Sequence, residues 1–416
     1  MENGAPLVTN DAVVLAMLAV ILGFVFYTEK SEHPFWKKFY TYIPGLLLCY
    51  FLPSLLNTFG IASSEESNLY FVSSRYLLPA CLVLLTLSID LPAIVRLGYK
   101  AVALFLTGTF GILIGGPIAL VIMGYLSPET VGGVGPEAVW RGLTTVAGSW
   151  IGGGANQTAM KEVFEVGDAV FSQMVAVDVI VANIWMAVLL YLAARHKQID
   201  ARTGADTSAI ADLQDRVEMF QAEHSRVLNL PDLMFILAVG FGITGVGHAL
   251  GAWIAEWIGA NAPALERLSL TSPFFWLVVI ATSLGLVLSF TPLKQLEGAG
   301  ASRIGSAMLY FLVASIGLGM DIGAVFTNPG LFVLGGIWMS VHALLIFSVA
   351  KLLNAPLFYM AVASQANVGG AASAPVVASA FHPSLAPVGV LLAVFGYAVG
   401  TYAAWVCGLI MQGIAG

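Results

Sequence analysis

Ten apolar runs, each at least as long as the about 17 residues that cross a bilayer as a helix, punctuate this chain. They fall near 11–28, 42–59, 75–95, 99–125 and 168–194, then near 231–258, 273–291, 303–325, 329–351 and 384–411. Lipid offers no partner to a peptide group, so only helices and closed barrels span it. Continuous rather than alternating runs select helices. The chain is 58% hydrophobic and 10% charged, against about 25% charged in soluble domains. The expected class is an all-α integral membrane protein whose first partner is the lipid bilayer.

Two stretches break the pattern. Gly148–Thr158 reads GSWIGGGANQT and Ser364–Pro375 reads SQANVGGAASAP. Each glycine costs about 1 kcal/mol of helix propensity relative to Ala, and Ser, Asn, Gln and Thr add groups that lipid cannot satisfy. Interrupted backbone at membrane depth survives only inside protein or beside a water-filled cavity. There it turns free peptide groups and half-helix dipole ends toward a ligand. The broken elements are expected at 138–165 and 355–381.

The halves repeat one another. LSIDLPAI (Leu87–Ile94) matches LGMDIGAV (Leu318–Val325), setting Asp90 against Asp321. After an extra polar loop in the first half, SPETVGGVGPEAVWR (Ser127–Arg141), Gly153-Gly154-Ala155 meets Gly369-Gly370-Ala371. Paired Gly-interrupted segments in a duplicated chain are the sequence mark of a secondary transporter. The division is a first repeat at 1–195, a polar linker at 196–229 and a second repeat at 230–416. Within the linker, Thr207–Val227 has helical apolar spacing through Leu213, Val217 and Phe220, which reads as a solvated amphipathic connector.

Basic residues set orientation. Lys30, Lys37 and Lys38 follow the first span, and Arg96 and Lys100 the third; Glu65, Glu66, Glu129 and Glu137 mark the other side. In the second half Lys294 and Arg303 follow the second span and Lys351 the fourth, so the polarity reverses and the fold is an inverted repeat. The N-terminus is expected to be periplasmic. The linker, with Lys197, Arg202, Arg216 and Arg226, is expected in the cytoplasm. A single linker inverts the second half only if each half has five crossings plus one re-entrant hairpin, so re-entrant elements are favoured. Lys161 is the exception to the charge pattern, though Glu162, Glu165 and Asp168 surround it.

Asp178 lies mid-span in AVFSQMVAVDVIVANIWMAVLL. A carboxylate at that depth is costly and faces a pathway or pairs with a cation. The expected cation site joins Asp178 to Asn183, Asn156, Gln157 and Gln365, because a hard ion takes oxygen ligands. The expected substrate site comprises Ser149, Gly152, Gly153, Gly154 and Asn156 with Ser364, Asn367, Gly369, Gly370 and Ser373. Asp90 and Asp321 are secondary candidates, kept for their duplicated position. His248 and His342 read as structural, Cys49, Cys81 and Cys407 as small buried side chains. Trp140, Trp150, Trp253, Trp257, Trp276 and Trp405 read mostly as interfacial anchors. No P-loop, His/Cys metal spacing or nucleophile elbow occurs, so neither an enzyme nor a cofactor is expected. Nor is a metal beyond Na⁺. The formal charge of −7 and the lack of a basic patch speak against nucleic acid. The acidic N-terminus lacks a signal-peptide n-region, so the first run is expected to be retained.

GSWIGGGANQTAM, with Asp178 one helix later, and then ASQANVGGAASAP, resemble the YjcL-type family of uncharacterised bacterial membrane proteins. That family is grouped with the cation/proton antiporter and anion transporter superfamily. The resemblance implies a bacterial inner-membrane protein with a core domain holding two broken helices and a panel domain that often forms a homodimer. It also implies a cation-binding carboxylate where Asp178 stands. Many superfamily members have broken helices that cross the bilayer, contrary to the hairpins favoured by charge. The antiporters often carry Asp-Asp or Asn-Asp where this chain has Val177-Asp178. The function expected is a secondary active transporter moving a small organic anion or zwitterion, such as a carboxylate, amino acid or short peptide, by symport with Na⁺ or H⁺. The alternatives are a cation/proton antiporter without organic substrate, and a channel or membrane sensor.

Overall fold

The computed structural model describes residues 6–43, 45–64, 66–90, 94–95, 97–203, 228–320, 327–382 and 385–415. Among them every regular element is a helix. In order these are α1 (Asp11–Glu29), α2 (Pro34–Tyr42), α3 (Gly45–Thr58), α4 (Leu69–Leu87), α5 (Tyr99–Leu126), α6 (Val139–Val163) and α7 (Asp168–Ala193). There follow α8 (His196–Thr203), α9 (Leu230–Asn261), α10 (Pro273–Leu288), α11 (Ala301–Gly317), α12 (Gly330–Leu352), α13 (Leu357–Val368), α14 (Gly370–Ser379) and α15 (Ala386–Ala415). Seven described helices are long and apolar enough to cross a membrane, or nine with the bent pairs α2–α3 and α10–(Pro292–Ala299); α11 is a shorter apolar helix. The Thr207–Val227 connector and Asp321 lie outside the described residues.

Polar residues fix where the helices begin. Asn10 accepts from the Ala12 and Val13 amides, Asn229 from Asp232 and Ser272 from Phe275, each filling orphan donors of a first turn. Pro34, Pro231 and Pro273 occupy first-turn positions, where a missing N–H costs nothing. The third run starts earlier than its apolar pattern suggests, because Leu69–Val72 leads through a π-helical turn, Ser73–Leu77, into Leu78–Leu87.

The helices sort into two units. The first three apolar elements of each half, α1, α3, α4, α9, α10 and α11, contact mainly one another and form a panel. The last three of each half, α5, α6 and α7 with α12, α13–α14 and α15, form a core. Small residues let the core close: a Cβ on Gly115 or Gly116 of α5 would come within 2.6 and 2.7 Å of the Trp338 ring of α12. The indole N–H of Trp338 donates to Ile112 O at 2.8 Å. Panel and core meet along a seam with fewer contacts than either has within itself.

Both interrupted elements are hairpins. In α6 the chain turns at Gly152 (φ −136°, ψ 15°) and Gly153 (φ 72°, ψ −174°) and folds back. The Gly167 amide donates to Pro136 O at 2.8 Å, Arg141 Nη1 donates to Phe164 O, and a Cβ on Gly148 would lie 2.6 Å from Asn156 O. Residues flanking both ends of α6 therefore lie together. The second hairpin, α13 and α14, turns at Gly369, and the rings of Phe358 and Phe381 beside its two ends are 5.4 Å apart. The hairpins favoured by the charge pattern form; the crossing broken helices implied by resemblance do not. The physical reason is visible at Gly153, whose backbone combination only glycine holds without strain and which reverses the chain instead of continuing it.

The hairpins open at opposite ends of the bundle. The mouth of the first lies with the start of α1 and the α3–α4 connection, where Asp11 Oδ1 accepts from Ser67 Oγ at 2.8 Å and Tyr70 Oη donates to Glu162 Oε1. We call this the amino-terminal face. The mouth of the second lies with the linker: Asp200 Oδ1 accepts from the Leu357 amide at 2.9 Å. This is the linker face. The tips meet between them, a Cβ on Gly370 lying 3.7 Å from Gly153 Cα.

Candidate functional site

The meeting point of the two tips is built from the backbone outward. α15 runs across both hairpins and contributes glycines where side chains have no room. A Cβ on Gly400 would come within 2.6 Å of Gly152 Cα, one on Gly396 within 2.6 Å of Ile151 O, and one on Gly389 within 2.6 Å of Ala374 O. Peptide groups at the break are thus pressed directly against a neighbouring helix. Gly153 and Gly154 keep partial exposure, and nothing lies nearer to an added Cβ than Tyr397 Cε1 at 3.5 Å and Leu309 Cδ2 at 3.8 Å, respectively. Gly369, Ala371 and Ser373 are partly exposed at the other tip.

Asp178 on α7 is buried against the first hairpin and clasps it. Its Oδ2 accepts from Ser149 Oγ on one arm at 2.7 Å and from Gln157 Nε2 on the other at 2.8 Å. Gln157 Oε1 in turn accepts from Tyr50 Oη of the panel at 3.3 Å. Both of these donors to the carboxylate are neutral. Among the described residues the ion pairs are Lys37–Glu32, Arg75–Glu162 and Lys161–Asp168, so no basic side chain neutralises Asp178. An uncompensated buried carboxylate is among the costliest groups a membrane core can hold. No group of three His, Cys, Asp or Glu side chains suited to a metal occurs among the described residues.

The two asparagines repeat one hydrogen-bond pattern. Asn156 Oδ1 accepts from Thr401 Oγ1 at 2.6 Å, while its Nδ2 donates to Tyr397 O and Gly152 O, both at 3.0 Å. Asn367 Oδ1 accepts from Thr109 Oγ1 at 2.7 Å, while its Nδ2 donates to Phe105 O and Ala363 O, both at 3.0 Å. In each case the Asn caps a carbonyl four residues earlier on its own chain and grips a Thr and a carbonyl one turn apart on a neighbour, α15 or α5. The carbonyls freed at the first break are likewise covered, Gly152 O by Asn156 and Gly154 O by Thr158 Oγ1 at 2.8 Å. The sequence assigned the Asn156 amide oxygen to a cation and both asparagines to substrate; the structure spends these groups on holding the hairpins.

Ser364 closes a second network. His342 Nδ1 lies 3.0 Å from Gly108 O, so it carries the proton and donates. The other ring nitrogen then accepts from Ser364 Oγ at 2.8 Å, and Ser364 Oγ accepts from Trp185 Nε1 at 2.8 Å. The structural reading of His342 holds. His248 donates Nε2 to Arg75 O at 2.8 Å, also as a tie between helices.

Some expected members are elsewhere. Asn183 is turned back on its own helix, donating to Val179 O at 2.7 Å; five residues from Asp178 place it about 140° round the helix. Asp90 is half-buried just beyond α4, at the panel end. Trp150, read as one of the interfacial anchors, is fully buried beside the first tip and packs on Trp338 with ring centroids 5.1 Å apart. Trp253 and Trp257 are exposed on α9 as anchors are. All three cysteines are buried and free.

One polar atom at the tips is left over. Gln365 Oε1, an acceptor, is buried without a hydrogen-bond partner, whereas the Trp150 indole N–H, short of full hydrogen-bond geometry, is directed to the Asp178 carboxylate as a third, looser donor. Gln365 is held in place by its Nε2, which donates to Ser373 Oγ at 2.7 Å across the second tip. Native proteins leave few such groups unpaired, and an unpaired one asks for an absent partner. Sequence reasoning missed Tyr50, Thr109, Thr401, Trp185 and the α15 glycines. Each acts through a contact between distant segments; the small-residue spacing Gly389, Gly396, Gly400 was the available signal.

Comparison with known proteins identifies a family and a membrane-protein relative. Residues 16–414 match the family model described as "Protein of unknown function (DUF819)". The chain is 22% identical over 344 residues to the "Uncharacterized membrane protein YjcL" of Bacillus subtilis (strain 168), which covers 81% of this chain and 82% of that protein.

Proposed function

We propose that this multi-pass membrane protein, which belongs to the DUF819 family, is a secondary active transporter that moves a small organic anion or zwitterion together with Na⁺ or H⁺. The observation that carries the reading is Asp178, a buried carboxylate that clasps both arms of a hairpin and has no basic partner among the described residues. Such a group needs a counter-charge, and a coupling cation or proton supplies one that can leave. Binding at Asp178 would tighten or release Ser149 and Gln157, and with them the tip at Gly153.

The solute belongs between the two tips. Half-helices start there at Gly154 and Gly370, and their dipole ends favour a carboxylate. The unspent Gln365 carbonyl beside them suits a donor such as an ammonium or hydroxyl. Opposed hairpins with alternating spans support an inverted duplication of 1–195 and 230–416 about the linker. Lys30, Lys37, Lys100, Lys197, Arg202, Lys294, Arg303 and Lys351 cluster toward the linker face. The positive-inside tendency then sets the linker in the cytoplasm and the amino-terminal face outside, in a bacterial inner membrane. Sliding of core against panel along their sparse seam would carry the tips between faces.

The test is a thermal-shift screen of metabolites with and without Na⁺ at several pH values, followed by uptake into proteoliposomes. A carboxylate or amino acid that stabilises the protein only with the cation, and accumulates down its gradient, is the expected result. Collapse of a pH gradient by Na⁺ alone, with no stabilising solute, would replace the symporter with an exchanger.

A further inference from the structure

Away from the hairpin tips, a second charge cluster straddles the seam between panel and core. On the core side, Lys161 and Glu162 end the second arm of the first hairpin and Asp168 opens α7. From the panel, Tyr70 and Arg75 of α4 reach across. Arg75 Nη1 pairs with Glu162 Oε2 at 2.6 Å, and Tyr70 Oη donates to Glu162 Oε1. Lys161 Nζ pairs with Asp168 Oδ1 at 2.9 Å and donates to Tyr70 Oη at 3.2 Å. Two cations and two anions therefore cancel. Each pair has one buried member, Glu162 at 9% and Lys161 at 7% exposed, and a more exposed partner, Arg75 at 31% and Asp168 at 57%, so Arg75–Glu162 is the better shielded pair and Lys161–Asp168 is closer to a solvated surface pair.

The panel braces its half of the cluster. The Arg75 guanidinium lies 4.4 Å over the Phe274 ring of α10. Arg75 sits in the π-helical turn, a local widening that recurs at functional positions, and its carbonyl is held by His248 of α9. Among the described residues the remaining ion pair, Lys37–Glu32, lies within the panel's own connection. The cluster also connects to the candidate site. Gln157 and Lys161 are one turn apart on the same face of one arm. Gln157 bonds Asp178 and Tyr50, and Lys161 bonds Tyr70.

We propose that Tyr70, Arg75, Lys161 and Glu162 form an ionic latch that keeps panel and core closed at the amino-terminal face. Rearrangement at Asp178 reaches the latch through the one-turn link from Gln157 to Lys161. The latch rests on the transport reading, in which the seam must open at alternate faces. Removing one partner leaves a half-buried charge alone, which drives the seam toward water.

The test reads the gate without any solute. Thr158, buried next to Gln157, is replaced by Cys in full-length protein whose Cys49, Cys81 and Cys407 are Ala, and is labelled from the amino-terminal face with a membrane-impermeant maleimide. Arg75→Gln and Glu162→Gln are each expected to raise the labelling rate about tenfold, the equivalent of a 1.4 kcal/mol shift in the opening equilibrium. Tyr70→Phe is expected to raise it less, and the exchanged pair Arg75→Glu with Glu162→Arg to bring it back toward the parent. Parental labelling in monodisperse Arg75→Gln and Glu162→Gln protein would overturn the latch. Should either not fold, Tyr70→Phe and Lys161→Gln decide by the same criterion. A chain that moves no solute yet shows the labelling pattern keeps the latch; one that transports with unchanged labelling loses it.

Discussion

The two hairpins share a frame and differ in charge. Each turns at a glycine pair, each carries a serine a turn or so before the turn, and each is pinned by an Asn that grips a Thr and a carbonyl on a neighbouring span. Their serines part company. Ser149 donates to a carboxylate, Asp178, whereas Ser364 sits in a neutral chain with His342 and Trp185. The lesson is that a repeated frame builds the meeting point while a single unmatched carboxylate sets its two halves apart in charge. In the second half, Phe395 and Gly396 stand where an equivalent of Asp178 would be sought, and Gly396 is there for close approach.

The largest effect should come from removing that asymmetry. Asp178→Asn keeps the shape and one acceptor oxygen for Ser149 and Gln157 but loses the charge. Cation-dependent thermal stabilisation and uptake should vanish, while the protein stays monodisperse. Wild-type cation dependence in this variant would make the hairpins equivalent after all. Next comes the turn itself. Gly153→Ala must hold a φ of 72° with ψ near 180°, at a cost of about 1–3 kcal/mol. Gly154→Ala meets only open space beyond 3.8 Å and should be near neutral in the same denaturation assay. Equal losses would mean the strain is not localised at the tip.

Smaller effects test the shared frame. Asn156→Ala and Asn367→Ala each remove the acceptor of a buried threonine hydroxyl and the side-chain donor to two carbonyls, so each should lower stability by about 1–3 kcal/mol, and by similar amounts; the threonines keep weaker alternatives, Thr109 to Phe105 O and Thr401 to Thr282. A large difference would show that the matching patterns bear unequal loads. Ser364→Ala should cost about 1–2 kcal/mol by leaving His342 and Trp185 short of a partner, yet preserve cation dependence, since its network is neutral. Loss of cation dependence there would extend the responsive region to the second hairpin.

Much of the frame was legible in the residues. Span positions follow from apolar run length, hairpins from charge on either side, and the two tips from glycine beside Asn and Gln. Asp178 stood out because a carboxylate at that depth has few innocent explanations. Less was legible at the site. Asn156 and Asn367 looked like ligands, because residue type reveals a polar group but not whether a neighbour has already used it. Arg75 and Tyr70 drew no attention, and Glu162 only as an acidic neighbour of Lys161, since near a span end charged residues are ordinary. Only their convergence across the seam gives them meaning.

By itself, the sequence determined that this chain is a helical membrane protein with two interrupted elements and one deep carboxylate. Those facts depend on burying peptide groups in lipid and on the intrinsic cost of glycine and charge, which are properties of short segments. Tertiary structure alone decided that the two tips touch, that Asp178 clasps both arms of one hairpin, and that the asparagines are tied down while Gln365 keeps an unspent carbonyl. Hydrogen-bond partners at membrane depth come from other helices, and which donor meets which acceptor is fixed only when those helices are brought together.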